Sequence, residues 1–590
     1  MHPFGEHGAG ACTTKVRFPR FDGVDEFVEH SESSGDGQHD VETDRVTLLE
    51  ATQLGVDAPG RLMGQVMPAE RYGEQTSASS SGGLMDSVVS VSSGMLRGSA
   101  VDGVHSFRGI PFAAPVGGEN RFRRPQPVQP WDGVRDATEF GPIQPQVPMP
   151  PPFGGELPPV GDDSLNLNVW TPDPTAAGLP VLVWIHGGAF NAGSGIELTY
   201  EGTSFASNGV VCVTLNYRLG AQGFLHLAEH FPQYPDAGNL GILDQVAALK
   251  WVQENIASFG GDPVRVTIAG ESAGGMSVGT LMALPEARGL FHQAVPQSGA
   301  GHNGISADTA SLIARDLLAR LGVAAGDVAA LAAVTSEQLL EAQAALTAEV
   351  MTSGKIDLYG DPGATAMPFQ PVYGTEVLPQ RPIDAIRSGS APDIAVLIGT
   401  TMEESLVFVV AMQAMFGEDK LHSLAAALFG DEAHGEAVIQ AYRAARAGHP
   451  AHEVIAALET DRMFRVPAVR LADAQSTHNP NVWMYRFDWR TPIFGGMLGA
   501  CHALELPFVF NTVSSPLAAM FAGPEAPQSV AEAMHGAWVA FATTGNPGHE
   551  GLPAWPRYTS DSRSTMLFAP VAEVVEHPNA DELALWEGVL

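Results

Sequence analysis

The chain has 590 residues, with 66 Asp and Glu against 31 Lys and Arg, so its formal net charge is −35. Hydrophobic residues make up 45% of the sequence, which is enough for a large buried core and excludes a wholly disordered chain. The acidity argues against a nucleic-acid binder, which needs a basic surface to displace phosphate counterions, and against docking on an anionic membrane. We therefore expect neither nucleic acid nor a membrane as a partner.

Cysteine usage and the first residues predict a cytoplasmic protein. Cys12, Cys212 and Cys501 lie far apart in the sequence, so neither a disulfide scaffold nor a cysteine metal site is expected. No apolar run approaches the roughly 18 residues that a membrane-spanning helix needs. The N-terminus carries neither a basic region nor a hydrophobic stretch, so no secretory signal is predicted.

The first 86 residues differ in composition from the rest of the chain. Acidic residues crowd positions 26–44, and residues 77–83 form a Ser/Gly-rich linker. Because this stretch lacks the apolar periodicity of a core, we expect residues 1–86 to be a disordered or weakly ordered extension. Met85 follows the linker directly and is an alternative candidate for the first residue of the protein.

From residue 87 onward the sequence alternates between strand-like and helical patterns. Residues 88–91, a turn near Gly94 and residues 99–107 predict a short β-meander. Buried strands are then predicted at residues 165–170, 180–186, 210–216 and 264–269, and residues 243–257 have the apolar spacing of a helix. Continuous apolar strands that alternate with helices are typical of a doubly wound α/β sheet.

The pentapeptide G-E-S-A-G at residues 270–274 lies between a predicted strand and a predicted helix. In a nucleophile elbow of this form, the serine hydroxyl projects above the sheet at the N-terminus of the helix. The helix dipole and free N–H groups there favour the negative charge that develops in acyl transfer. Residues 275–279 also fit G-x-S-x-G, but no strand precedes Ser277, which we interpret as a packing residue. Context therefore selects Ser272 as the candidate nucleophile.

A second loop offers hydrogen-bond donors for an oxyanion. The predicted strand at residues 180–186 leads into H-G-G-A-F at residues 186–190, a glycine loop of the type that supplies unhindered backbone N–H groups. We predict the N–H groups of Gly187, Gly188 and Ala273 as the oxyanion donors. His186 is interpreted as a residue that orients this loop and not as a catalytic base.

Together these motifs resemble the type-B carboxylesterases of the α/β-hydrolase superfamily, in particular their bacterial para-nitrobenzyl-esterase-type branch. The resemblance runs from about Val88 to the C-terminus and includes motifs at residues 107–113, 163–170, 216–218, 238–241 and 259–263. It implies an α/β-hydrolase fold, with a central, mostly parallel twisted sheet, helices on both faces and large loop and helical insertions. Residues 87–590 are then the carboxylesterase domain.

The resemblance also locates the remaining members of a triad, which follow the serine in the order acid, histidine. The segment G-T-T-M-E-E-S at residues 399–405 matches the family's G-x-x-x-D-E-G and implies Glu404 as the acid, with the adjacent Glu403 as the alternative. The block at residues 501–510 implies His502 as the histidine. Ser298 is implied to support the triad. Glu271 is implied either to favour the imidazolium or to be a structural carboxylate.

These residues predict a serine carboxylesterase that hydrolyses short-chain or aromatic esters through an acyl-enzyme, without a metal or organic cofactor. An amidase or carbamate hydrolase with the same triad is the alternative, because the elbow does not specify the leaving group. An inactive scaffold protein of this fold is disfavoured because all three triad positions are filled. The expected partner is a small-molecule ester, and the expected assembly is a monomer or a small homo-oligomer.

The sequence departs from the family pattern in ways that bear on its substrate and its redox surroundings. Gln144 and Ser164 occupy positions where family members exposed to oxidising surroundings often carry a cysteine pair. Residues 146–160 contain no Trp or Tyr, which disfavours quaternary ammonium substrates and favours an uncharged one. After the acid segment, one set of apolar residues is interpreted as the buried stripe of a helix: Met402, Leu406, Phe408, Met412 and Phe416.

Overall fold

The computed structural model describes residues 85–148, 157–353, 358–360, 367–410 and 412–589. The predicted N-terminal extension, residues 1–86, lies outside this part of the chain except for its last two residues, and Cys12 also lies outside it. Within the described residues, no helix has both the length and the apolar character needed to cross a membrane. The cytoplasmic location stays a prediction.

A 13-stranded sheet forms the centre of the fold. Its strands are β1 (Met85–Val91), β2 (Gly94–Val101), β3 (Val104–Pro111), β4 (Val134–Asp136), β5 (Asn166–Thr171), β6 (Leu179–Ile185), β7 (Val211–Leu215), β8 (Gly261–Glu271), β9 (Gln293–Gln297), β12 (Ala395–Thr401), β13 (Val482–Phe487), β14 (Thr565–Phe568) and β15 (Glu573–Val575), while β10 (Ile305–Ser306) and β11 (Val372–Tyr373) form a separate parallel pair. The spatial order is β1-β2-β3-β5-β7-β6-β8-β9-β12-β13-β14-β15, and β4 pairs with β2. All neighbours from β7 to β14 are parallel, and β1, β2, β3, β5 and β15 add antiparallel pairs at the two sides.

Helices cover both faces of this sheet. The described helices are Thr203–Ser207, Gly220–Phe224, Leu240–Asn255, Ala273–Ala283, Ala307–Arg320, Val328–Ala333, Ser336–Thr352, Pro382–Arg387, Leu406–Val410, Glu418–Phe429, Glu432–Ala445, Ala451–Thr460, Val466–Ser476, Leu506–Val509, Pro516–Phe521, Gln528–Thr544 and Ala580–Ala584. Alternate residues of β6 point to opposite faces, so that Val183 joins one hydrophobic core and Trp184 the other. The helix Leu240–Asn255 packs into the first core and Gln528–Thr544 into the second. This arrangement confirms the predicted α/β-hydrolase fold.

The structure refines several predicted elements. The predicted meander exists, but residues 99–107 contain a second turn at Asp102 and Gly103, where φ is +51° and +82°, so this segment belongs to two strands, β2 and β3. The strand predicted at residues 264–269 is longer, because β8 spans Gly261–Glu271. The helix predicted at residues 243–257 is Leu240–Asn255.

Gln144 and Ser164, the two positions considered above for a cysteine pair, contact each other. Ser164 Oγ donates a hydrogen bond of 2.7 Å to Gln144 Oε1, and both residues are buried. A polar contact therefore links these two segments. Cys212 and Cys501 are free and buried, and burial raises the pKa of both thiols, which disfavours the reactive thiolate.

Candidate active site

Ser272 lies at a strained turn between β8 and the helix Ala273–Ala283, which we call the nucleophile helix. Its φ of 57° and ψ of −124° lie in a region that non-glycine residues rarely adopt, which is a feature of functional sites. Gly274 is required beside it, because a Cβ there would overlap the carbonyl oxygen of Ile185. Ser277 lies inside the same helix, fully buried, and accepts a hydrogen bond of 3.0 Å from Gln245, which confirms its packing role.

The glycine loop after β6 approaches the elbow directly. A Cβ on Gly187 would lie 3.1 Å from the Cβ of Ser272. Gly188 has a φ of +106°, and a Cβ there would overlap the carbonyl oxygen of Ala192, so only glycine fits this turn. The loop and the free amide end of the nucleophile helix thus converge on Ser272.

One of the predicted donors lies near a side-chain oxygen. Burial raises the pKa of the Tyr200 phenol well above its usual value, and the nearby N–H of Gly187 has the opposite, smaller effect. Among the described residues, no protein acceptor is found for the N–H groups of Gly188 and Ala273, nor for that of Ala189, which follows Gly188 in the loop. The sequence pattern did not predict Ala189, because the prediction was based on the two glycines of the loop, which have no side chain to shield their N–H groups.

Glu404 and His502 form a short hydrogen bond. His502 Nδ1 lies 2.6 Å from Glu404 Oε2, and the Glu404 side chain is completely buried. The other carboxylate oxygen accepts hydrogen bonds of 2.7 Å from the Thr401 N–H and 2.7 Å from Ser298 Oγ. Ser298 therefore contacts the carboxylate that faces the imidazole.

Glu403, the alternative acid, occupies a different environment. Its carboxylate pairs with Arg490 at 2.8 Å and accepts a hydrogen bond of 2.9 Å from the Ala500 N–H, and its side chain is 26% exposed. These contacts hold the Glu403 segment against the segment that precedes His502. They leave Glu404 as the carboxylate that contacts the histidine.

The second ring nitrogen of His502 lies near another acid. His502 Nε2 is 3.1 Å from Glu271 Oε1, and both side chains are buried. The described hydrogen bonds include none between Ser272 Oγ and His502, so the imidazole faces Glu271 in this state. Burial lowers the pKa of His502, but the charge of Glu271 and the contacts with Glu404 outweigh burial and raise it to about 9.

Aromatic rings hold the imidazole on its exposed side. The ring centroids of Phe464 and Phe408 lie 4.8 Å and 5.3 Å from that of His502. The prediction of a buried helical stripe after Glu404 is wrong for Phe408 and Met412, since both are 43% exposed. Phe408 lies on the helix Leu406–Val410 but only two residues from the buried Leu406, so it points away from the buried face, and the helix ends before Met412.

His186 lies under the glycine loop, as predicted. Its Nδ1 is 2.8 Å from the carbonyl oxygen of Gly187, and its ring stacks on Tyr217 at a centroid distance of 4.4 Å. Burial lowers the pKa of His186 to about 4, despite the Gly187 carbonyl, so the imidazole is neutral at pH 7. A neutral ring stacked on tyrosine fits a residue that orients the loop.

A further buried acid escaped sequence analysis. Glu505 is fully buried, accepts a hydrogen bond of 3.1 Å from Gln297 Nε2, and has a pKa raised to about 7 by burial and by the charge of Glu404. It lies in the motif that carries His502, but nothing in the motif marks its burial. Within the described residues, no group of three or more His, Cys, Asp or Glu side chains could hold a metal ion.

Comparison with known proteins decides the family. The model of the Carboxylesterase family matches residues 85–586. The chain belongs to this family. It is 39% identical to the para-nitrobenzyl esterase of Bacillus subtilis (strain 168) over 502 residues, which cover 84% of this chain and 97% of that protein. It is 35% identical to the phenmedipham hydrolase of Pseudarthrobacter oxydans, over 81% of this chain and 94% of that protein.

Solved structures agree with this assignment. A carboxylesterase of Geobacillus stearothermophilus matches with a TM-score of 0.75 and 41% identity, over 85% of this chain and 99% of that chain. A thermophilic para-nitrobenzyl esterase matches with a TM-score of 0.75 and 38% identity, over 84% of this chain and 99% of that chain. The resemblance inferred from the sequence is confirmed, and this carboxylesterase is a carboxylic ester hydrolase that acts on a small-molecule ester.

Proposed function

We propose that Ser272, His502 and Glu404 are the catalytic triad of this carboxylesterase. The observation that carries the proposal is the 2.6 Å contact between Glu404 and His502 beside the strained Ser272 elbow. Glu404 holds the proton on Nδ1, so that Nε2 is the nitrogen free to accept a proton. Ser298 supports Glu404 through its 2.7 Å hydrogen bond.

Acylation follows from these roles. As Ser272 Oγ attacks the ester carbonyl carbon, His502 Nε2 accepts the hydroxyl proton, and it then donates that proton to the departing alkoxide oxygen. For this transfer Nε2 turns from Glu271 to Ser272 when substrate binds, since catalytic hydrogen bonds often form only in the complex. Water then attacks the acyl-enzyme, with His502 again as the base, and releases the carboxylic acid.

The oxyanion of each tetrahedral intermediate receives backbone hydrogen bonds. We assign this role to the N–H groups of Gly188 and Ala273 from the original prediction and replace Gly187 with Ala189. Ala189 is chosen because its N–H, like those of Gly188 and Ala273, has no acceptor among the described residues, whereas the N–H of Gly187 lies near the Tyr200 phenol. Each such donor contributes on the order of 3 kcal/mol to the stability of the transition state.

Fluorophosphonate labelling followed by peptide mass spectrometry tests the nucleophile. We expect labelling at Ser272, and we expect Ser272→Ala to lose both labelling and 4-nitrophenyl acetate hydrolysis. Ser277→Ala is the matched control, because Ser277 belongs to the adjacent G-x-S-x-G and packs in the helix. Full turnover in Ser272→Ala, or label on Ser277, contradicts the assignment.

The leaving group needs its own experiment, because the triad also fits an amidase or carbamate hydrolase. We propose uncharged esters as the preferred substrates, because residues 146–160 contain no Trp or Tyr to receive a quaternary ammonium group. Rates on an ester, an amide and a carbamate with the same acyl and leaving groups separate these activities. We expect the ester to be hydrolysed faster than the matched amide and carbamate. Faster turnover of the amide or the carbamate contradicts the proposal.

A further inference from the structure

Three neighbouring segments carry exposed apolar side chains, one of which contacts the ring of His502. We call this set the apolar rim; its members are 39% to 63% exposed and comprise Phe408, Met412, Phe494, Met497, Leu517 and Met520. Phe408 and Phe494 are the exposed phenylalanines among the described residues. Exposed apolar groups are ordinary when scattered, but their grouping on neighbouring segments is typical of a binding surface.

Hydrogen bonds join the three segments. The Ala500 N–H, in the segment after Met497, donates a hydrogen bond of 2.9 Å to Glu403, in the segment before Phe408. Thr491 Oγ1 donates a hydrogen bond of 2.9 Å to the carbonyl oxygen of Phe521, at the end of the helix that carries Leu517 and Met520. The rim residues therefore lie on adjoining elements.

The rim is continuous with the catalytic site. At one end, the Phe408 ring lies 5.3 Å from the ring of His502. At the other end, the helix Pro516–Phe521 contacts the short helical turn Leu198–Tyr200, and the buried Tyr200 ring lies 5.3 Å from that of Trp184, on the strand that leads into the glycine loop. Both contacts lead to the groups that surround Ser272.

Phe494 adds an independent observation. Its backbone has a φ of 53°, in the left-handed region, and Gly495 follows with a φ of 68°. A bulky residue is disfavoured in this conformation, and such strain persists mainly at functional sites. Here the strained backbone holds an aromatic side chain in solvent, where it contributes little to the core.

We propose that the apolar rim binds an extended, uncharged apolar group of the ester substrate beyond the part that reaches Ser272. The substrate class is therefore esters with a longer alkyl chain or a large aryl group, on the acyl or the alcohol side. This proposal rests on the proposed catalytic site. Methionine side chains suit such a surface, because they are flexible and adapt to groups of different shape.

The test compares chain-length preference in rim and control variants. Met497→Ser and Met520→Ser each remove one apolar rim side chain, and Met95→Ser is the matched control, an exposed methionine on β2, a strand outside the three rim segments. The readout is the ratio of kcat/KM for 4-nitrophenyl decanoate to that for 4-nitrophenyl acetate, below the micelle concentration. We expect each rim variant to lower this ratio by about three- to tenfold, since each methylene moved out of water is worth roughly fourfold in binding.

The outcomes separate the two proposals. The same variants are also measured on a parallel series of acetate esters of longer alcohols, which assigns the group to the alcohol side if only that series responds. Loss of acetate hydrolysis in Ser272→Ala together with unchanged ratios for both rim variants in both series overturns the rim proposal and leaves the triad intact. The rim could instead bind a second copy of this chain, which sedimentation velocity tests. If the wild type is a dimer that Met520→Ser converts to monomer, and neither ester series changes, the rim is an interface between copies and the proposal is overturned.

Discussion

Glu403 and Glu404 are adjacent in the sequence, but their carboxylates have opposite surroundings. Glu404 is completely buried against His502 at 2.6 Å, whereas Glu403 is partly exposed and pairs with Arg490 at 2.8 Å. Both side chains nevertheless tie the acid segment to the histidine segment, since Glu403 also accepts the Ala500 N–H. Glu404 thus contacts the imidazole, and Glu403 contacts the backbone of the loop that carries His502.

Substitution of the two acids should separate these tasks. Glu404→Gln removes the charge that stabilises the imidazolium and favours the wrong ring tautomer, so we expect kcat for 4-nitrophenyl acetate to fall by about 10⁴-fold. Glu403→Gln weakens a partly exposed ion pair worth about 1 kcal/mol or less, so we expect less than a tenfold loss. Equal losses in the two variants contradict the assignment of Glu404.

The pKa of His502 predicts an alkaline pH profile. Nearby carboxylates raise it to about 9 against the effect of burial, and the protonated ring cannot accept the Ser272 proton. We therefore expect kcat/KM to increase with pH up to about 9. Glu271→Gln removes the charge that raises the pKa of His502 most, so the acidic limb of the kcat/KM profile should move to lower pH.

A control variant checks that Glu271 acts through its charge near the ring. Glu403→Gln removes a carboxylate that is not among the groups that shift the pKa of His502, so its acidic limb should stay in place. The measurement is the pH dependence of kcat/KM for both variants under identical buffers. If the acidic limb of the kcat/KM profile of Glu271→Gln stays at the wild-type pH, Glu271 has a structural role.

Sequence patterns predicted the parts of this protein that depend on local periodicity. The strand, turn and helix around Ser272 follow from apolar runs and a tight glycine turn, and family motifs located His502 and Glu404. The nearness of Glu271 to His502 Nε2 could not be predicted, because ring orientation depends on tertiary contacts. Met412 was misplaced because spacing predicts a buried stripe only while the helix continues, and the helix Leu406–Val410 ends before it.

The glycines of the elbow give a stability prediction. Gly274→Ala forces a Cβ against the Ile185 carbonyl oxygen, and the backbone there cannot move without shifting β6, so we expect a loss of about 3 kcal/mol or more in the free energy of unfolding. Gly417→Ala is the control, since a Cβ there meets open space and the φ is −85°. Because Gly417 is the N-cap of the helix Glu418–Phe429, where alanine is poorer than glycine, we expect the control to lose about 1 kcal/mol or less. Chemical denaturation of both variants measures the difference.

A buried network connects the end of the chain to the acid segment. Trp586 Nε1 donates a hydrogen bond of 2.8 Å to the Tyr442 hydroxyl, which donates one of 2.5 Å to Asp461. Asp461 forms a buried ion pair of 2.7 Å with Arg465 across a π-helical turn, Asp461–Arg465. Arg465 in turn donates a hydrogen bond of 2.7 Å to the Met402 carbonyl oxygen, two residues before Glu404.

Two tyrosine substitutions test whether this network positions Glu404. Tyr442→Phe and Tyr558→Phe each remove a buried hydroxyl that donates to an aspartate, at 2.5 Å from Asp461 and 2.8 Å from Asp473. Both should lower the free energy of unfolding by about 1–3 kcal/mol, because each leaves one carboxylate oxygen without its tyrosine donor while an arginine stays on the other oxygen. Only Tyr442→Phe should also lower kcat for 4-nitrophenyl acetate, since only Asp461 pairs with the arginine that holds the Met402 carbonyl. Equal kcat values in two equally destabilised variants contradict a positioning role, because loss of stability alone then accounts for both.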